Sequence, residues 1–172
     1  MSEDKEPCVK VVLVDTSFLI TLIDKGRANH ETAKAYFKFW IDAKVRLYIS
    51  TVVIAEYNVK GRIADIVMQH LTALPFNYSH AITTADLAAK KDLAKKEKTW
   101  PQTDKARDAI KDDLKLFAQT HSSGALLFVT DDQRTCKVVD FLRKNETIQF
   151  QVCPLWEPFD HTMARTGDRG LL

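Results

Sequence analysis

Acidic residues stand at four places in this chain where acids are costly. Asp15 directly follows the apolar run Val11–Val14, and the pair Asp131-Asp132 follows the apolar run 125–129 after one threonine. Glu56 has Val52, Val53 and Val59 as its three- and four-residue neighbours, so on a helix it emerges from a mostly apolar face. Asp113, at about 100° per residue, falls among Ala106, Ala109, Leu116 and Phe117, on the side of its helix that faces a core. Its neighbour Asp112 falls instead with Asp108, Lys115 and Gln119 on the wet side. Each position alone has a plain structural explanation: a turn, a helix cap, a side chain leaning to solvent, or a salt bridge. Together they describe carboxylates that repel one another unless a cation relieves them. An all-oxygen set in a chain with five histidines favours Mg²⁺ or Mn²⁺ over zinc. Such a site suits phosphodiester hydrolysis, in which the cation neutralises the phosphate, acidifies water and stabilises the leaving oxygen.

The elements needed to gather these acids are legible. Val11–Val14 is β-branched and apolar on both alternating faces, which fits a central parallel strand. Further strands are predicted at 46–49 and 125–129, with a half-exposed edge strand at 148–152. Phe76-Asn77-Tyr78 reads as a short extended piece. Helices are predicted over 17–25, 29–43, 52–60, 63–74, 79–98, 104–120 and 133–145. The second carries Ala33, Phe37, Trp40 and Ile41 on one stripe. Ser50 or Thr51 and Thr103 are candidate caps, Gly61 a candidate helix end, and 121–124 a loop. Strands alternating with helices predict an α/β fold, a central parallel sheet flanked by helices. In an open parallel sheet the functional rim lies beyond the carboxyl ends of the strands, where Asp15 and Asp131-Asp132 fall.

With these residues in place, the chain resembles PIN-domain proteins, most closely the VapC-like toxin ribonucleases. The resemblance is carried by VVLVDTSFLI, ISTVVIAEY, ALPFNYSHA, DDLKLFAQ and GALLFVTDD, in the family's order, over roughly residues 10–155. It implies a single PIN-like domain at 10–156, with an N-terminal extension at 1–9 and a tail at 157–172. It implies a metal-dependent endoribonuclease acting on RNA with Mg²⁺ or Mn²⁺. Carried over, the catalytic and metal-binding quartet is Asp15, Glu56, Asp113 and Asp132. Asp132 is taken from its doublet because family members commonly place one residue between the threonine and the acid. Thr130 matches the hydroxyl residue before the last acid and is expected to orient a carboxylate or a metal-bound water. Thr16, Ser17, Asp131 and Asp112 are the supporting candidates. The family's aromatic residue after the last acid is absent, the chain continuing Gln133-Arg134-Thr135. The resemblance also implies a homodimer and an antitoxin partner, whose groove is expected among the helices between residues 17 and 74.

Composition narrows the class. A net charge of +2 over 172 residues gives no overall attraction to polyanions, so an RNA surface must be local. The segment 90–107 holds seven basic and three acidic residues, a balance of +4. Two readings are open: a solvated helix face, or a patch that holds RNA phosphates beside the acids with Trp100 available to stack on a base. Three cysteines without a CxxC pair argue against a disulfide framework and for a reducing compartment. The acidic start MSEDKEPCVK is unlike a leader peptide, and the longest apolar region is short and broken by polar residues; a cytoplasmic protein without a membrane span is expected. A haloacid-dehalogenase phosphatase would need an aspartate at position 17, and a receiver domain one after RLYIS; neither is present. The rival reading is a non-catalytic PIN-fold module that binds RNA or protein.

Overall fold

The computed structural model describes residues 9–60, 68–101 and 107–167. Five strands are described: β1 (Val11–Val14), β2 (Arg46–Ser50), β3 (Leu71–Leu74), β4 (Leu127–Thr130) and β5 (Gln151–Pro154). They pair in the order β3-β2-β1-β4-β5, and every pair is parallel. Seven helices are described around them: α1 (Thr16–Ile23), α2 (His30–Asp42), α3 (Thr51–Lys60), α4 (Tyr78–Lys96), α5 (Arg107–Ser122), α6 (Gln133–Lys144) and α7 (His161–Thr166). The fold is the expected PIN-like α/β architecture.

The order explains why the inner strands are apolar on both faces. Val12, Leu13 and Val14 are all fully buried, as are Leu127, Phe128 and Val129. Consecutive strand residues point to opposite faces, so both faces of the sheet are covered. Phe117, Phe128 and Phe150 form an aromatic cluster beside β4, with ring centroids 5.5–6.2 Å apart. Because β2 and β3 lie on one side of β1 and β4 and β5 on the other, the winding reverses between β1 and β4. That reversal opens a crevice at the carboxyl ends of these two strands.

Several helices start where the sequence offers a polar cap. Ser50 Oγ accepts from Val52 N–H at the start of α3. Asn77 and His80 form a reciprocal capping box on α4, each side chain accepting from the other's backbone. Asp160 caps α7, which ends on Gly167 in the left-handed region at φ 77°.

Five expectations are corrected. The last strand is Gln151–Pro154 rather than 148–152, and three of its four residues are buried instead of alternating. The third strand is Leu71–Leu74, not 76–78, and the helix expected to run through Leu74 does not reach it. As the outermost strand, β3 buries only Leu71, so its sequence shows no strong alternation. The described part of the expected tail, residues 157–167, is not featureless. Its helix α7 buries Met163 and Ala164, and Trp40 Nε1 donates to Ala164 O at 3.0 Å. On α2 the buried stripe is His30, Ala33, Tyr36 and Trp40, with Phe37 and Ile41 half-buried. Residues 121–122 belong to α5 rather than to a loop. The expectations at Gly61 and Thr103, at Cys8, and at the starts of the helices at 63 and 104 lie outside the described residues. Among the described residues, no helix is long and apolar enough to cross a membrane. Among the described residues Cys136 and Cys153 form no disulfide, and Cys153 is buried in the core.

Candidate active site

The carboxyl ends of β1 and β4 lie side by side. Val14 is in register with Val129, and Asp15 N–H continues the ladder to Val129 O at 3.2 Å. The carboxyl ends of both strands therefore face the same crevice: Asp15 directly follows β1, and Asp131-Asp132 directly follow Thr130, the last residue of β4.

Asp15 is buried at 7% exposure and also serves as the N-cap of α1. Its Oδ1 accepts from Phe18 N–H at 2.7 Å and its Oδ2 from Thr130 Oγ1 at 2.6 Å. Ser17 Oγ lies 2.8 and 2.9 Å from the two oxygens. These donors favour the carboxylate, yet burial outweighs them and pushes the Asp15 pKa up to about 7, with the nearby charge of Asp113 adding to the rise. Asp113, on α5, is therefore near enough for its charge to be felt at Asp15.

Two hydroxyls link the strands. Thr130, fully buried, donates to Asp15 while its Oγ1 accepts from Asp132 N–H at 3.0 Å. Ser17 Oγ accepts from Asp131 N–H at 2.7 Å and contacts Thr130 Oγ1 at 3.2 Å. Glu56 arrives from α3, where its Oε2 accepts from Thr16 Oγ1 at 2.5 Å. Thr16 adjoins Asp15 in the chain, so Glu56 stands at the same rim.

The two doublets separate by their partners. Asp131 turns aside, accepting from Thr21 Oγ1 at 2.8 Å and Asn29 Nδ2 at 2.7 Å, which ties the β4 turn to α1 and to the start of α2. Asp132 caps α6, its Oδ1 accepting from Arg134 N–H at 2.9 Å and Arg134 Nε–H at 3.2 Å. Asp112 pairs with Lys115 at 2.7 Å on the wetter side of α5. Asn29 and Thr21 escaped the sequence reading because nothing in their spacing marks a partner more than 100 residues away.

The structure thus bonds Asp15 to Thr130 and Ser17, and Glu56 to Thr16, with Asp113 within electrostatic reach of Asp15. It does not gather the acids into a ready-made cage. Among the described residues, no three His, Cys, Asp or Glu side chains are grouped closely enough to hold a metal ion. The donor chemistry nevertheless suits a hard cation: oxygen ligands only, with a buried carboxylate whose charge is opposed by burial and by a second acid.

Two members of the expected RNA surface at 90–107 are corrected, Trp100 and Lys91. Trp100 is 5% exposed and packs edge-on against Phe141 at 5.3 Å, so it presents no face to a base. Lys91 is buried and pairs with Asp92. Lys90 contacts Thr147, beyond the C-terminal end of α6, whereas Asp132 caps the N-terminal end of that helix. A helix of 12 residues is about 18 Å long, so this end of the lysine-rich helix is not beside the acids. Lys105 lies outside the described residues.

Solved structures share the fold. A chain of the VapBC2 complex from Rickettsia felis, bound to a DNA fragment from their promoter, matches with a TM-score of 0.56 at 14% identity, over 87% of this chain and 99% of that one. A chain of DNA-bound VapBC from Salmonella typhimurium matches at 0.51 and 19%, over 84% and 97%. VapC20 of Mycobacterium tuberculosis, a Sarcin-Ricin loop cleaving toxin, matches at 0.50 and 18%, over 72% and 92%. No protein-family model and no curated protein matches the sequence. At these identities the shared property is the fold.

Proposed function

We propose that this chain is a metal-dependent endoribonuclease that hydrolyses RNA phosphodiester bonds, as the VapC-like toxin of a toxin-antitoxin pair. The observation that carries the reading is Asp15. A carboxylate is buried at the switch point of a VapC-type fold, with its pKa raised to about 7 and Asp113 beside it. Such a group is poised to exchange its proton for a cation.

Asp15, Glu56, Asp113 and Asp132 are the residues that would hold Mg²⁺ or Mn²⁺. The ion's contribution would be to neutralise the scissile phosphate and acidify the attacking water. The chain's own work is positioning. Phe18 N–H, Ser17 and Thr130 fix the Asp15 carboxylate; Thr130 also pins the backbone of Asp132, so one hydroxyl sets the spacing of two acids. Thr16 holds Glu56. Asp131 locks the turn through Thr21 and Asn29, and Asp112 neutralises Lys115; both support the site from outside.

The solved VapBC complexes support an antitoxin partner for this chain, and VapC20 supports a cleavage reaction. The homodimer and the cytoplasmic location rest on the resemblance. One observation favours the rival, non-catalytic module: among the described residues no three acids are grouped to hold a metal ion. A cleavage assay on structured RNAs with Mn²⁺ separates the two. The nuclease reading expects cleavage by wild type and a loss of at least about 100-fold in Asp113→Asn. Equal cleavage by both proteins removes Asp113 from the mechanism, and none by either leaves the module.

A further inference from the structure

The acids of the crevice differ in what holds them. Asp15 and Glu56 are held by hydroxyls, and Asp131 by a hydroxyl and an amide. Asp132 is held by a cation. Arg134 Nε lies 3.2 Å from Asp132 Oδ1, with the arginine side chain 47% and the aspartate side chain 21% exposed.

We infer that Arg134 is a substrate-binding residue: an internal counter-cation for Asp132 that, once released from it by cation binding, grips a phosphate of the RNA strand. The inference rests on the nuclease reading above. Its first ground is the division of bonds around Asp132. The backbone amide of Asp132 is fixed by Thr130 Oγ1, and its carboxylate also accepts the Arg134 backbone N–H at the start of α6. Those bonds persist whatever the guanidinium does. The guanidinium is the movable member, a long side chain at the solvent edge of the site.

The second ground is charge. A rim of carboxylates repels a polyanion, so a phosphodiester needs a cation at the rim as well as one inside it. Lys115 is ill placed for this, because it pairs with Asp112 on the side of α5 turned away from the Asp113 face. Arg134 stands two residues from the acid it guards, in the first turn of α6. Its planar fork suits two phosphate oxygens better than one shared carboxylate oxygen. Binding a divalent ion at Asp132 weakens the arginine's hold there, and the incoming phosphate replaces it. Ion and RNA then assist one another.

The test uses the full chain as wild type, Arg134→Gln and Arg134→Lys. Mn²⁺ is titrated by calorimetry without RNA, and cleavage of a mixed-sequence single-stranded RNA is followed over a range of salt. Removing a competing exposed ion pair should tighten Mn²⁺ binding of Arg134→Gln by about 2- to 5-fold. Its KM for RNA should rise about 10-fold with kcat within about 2-fold. Its dependence of log affinity on log salt should be shallower by about 0.7, as expected for one lost phosphate contact. Arg134→Lys should recover the salt slope. Melting temperatures within about 2 °C of wild type would show that the α6 cap survives. Unchanged or weaker Mn²⁺ binding by Arg134→Gln, or an unchanged salt slope, overturns the inference while leaving the nuclease reading intact. A wild type that binds no Mn²⁺ overturns both.

Discussion

Replacing Asp15 with asparagine should stabilise the metal-free protein at alkaline pH, although it removes the residue on which the site depends. In the folded chain the Asp15 pKa stands at about 7, against an ordinary value of 3.8. Between those values the native state keeps a proton that the unfolded chain has lost. Wild-type stability attributable to this group is therefore full below pH 3.8 and declines as pH rises towards 7. A gap of about 3 units corresponds to roughly 4 kcal/mol above pH 7. Asparagine carries no charge to bury. Its Oδ1 keeps the Phe18 N–H bond, and its Nδ2 can donate to Thr130 Oγ1 if that hydroxyl turns towards Ser17, 3.2 Å away. The rearranged bonds cost about 1 kcal/mol. The net gain should be about 2–4 kcal/mol at pH 8, a rise in melting temperature of roughly 5–15 °C, fading to nothing near pH 4. Urea and thermal melts of both proteins in EDTA at pH 4, 6 and 8 measure the difference, in which all other titrating groups cancel. An asparagine variant no more stable than wild type at pH 8 would show that Asp15 is not charge-strained, and the physical case for a cation would fail with it.

Further outcomes follow from the same contacts. Thr130→Val removes the donor to Asp15 and the acceptor for Asp132 N–H; it should cost about 1–3 kcal/mol in urea melts and depress cleavage, with Thr130→Ser restoring most of both. Trp100→Ala should cost about 3–5 kcal/mol because the ring is core, and RNA affinity measured on the folded fraction should not change. Met163→Ala should cost about 2–4 kcal/mol, a result a disordered tail would not give.

The place of Asp15 was legible because its signal is local. An acid ending a doubly buried strand is visible in four residues of context. What was not legible depends on partners distant in the chain. Asp131 and Asp132 look alike until Thr21 and Asn29 claim one and Arg134 the other. The six-residue α7 is too short to show a period, and its meaning lies in Trp40, more than 120 residues earlier. β3 sits at the sheet edge with two of its four residues exposed, so its sequence does not separate it from the helical pattern that precedes it. Trp100 sits among lysines and reads as surface, yet tertiary packing on Phe141 takes it inside.

The claim that these acids share a cation is tested most directly by titrating Mn²⁺ into the full chain by calorimetry near pH 7.5. Saturable binding that vanishes in Asp15→Asn and persists in Asp131→Asn is the predicted result. No heat of binding at millimolar Mn²⁺, or equal binding by the Asp15→Asn protein, would contradict it.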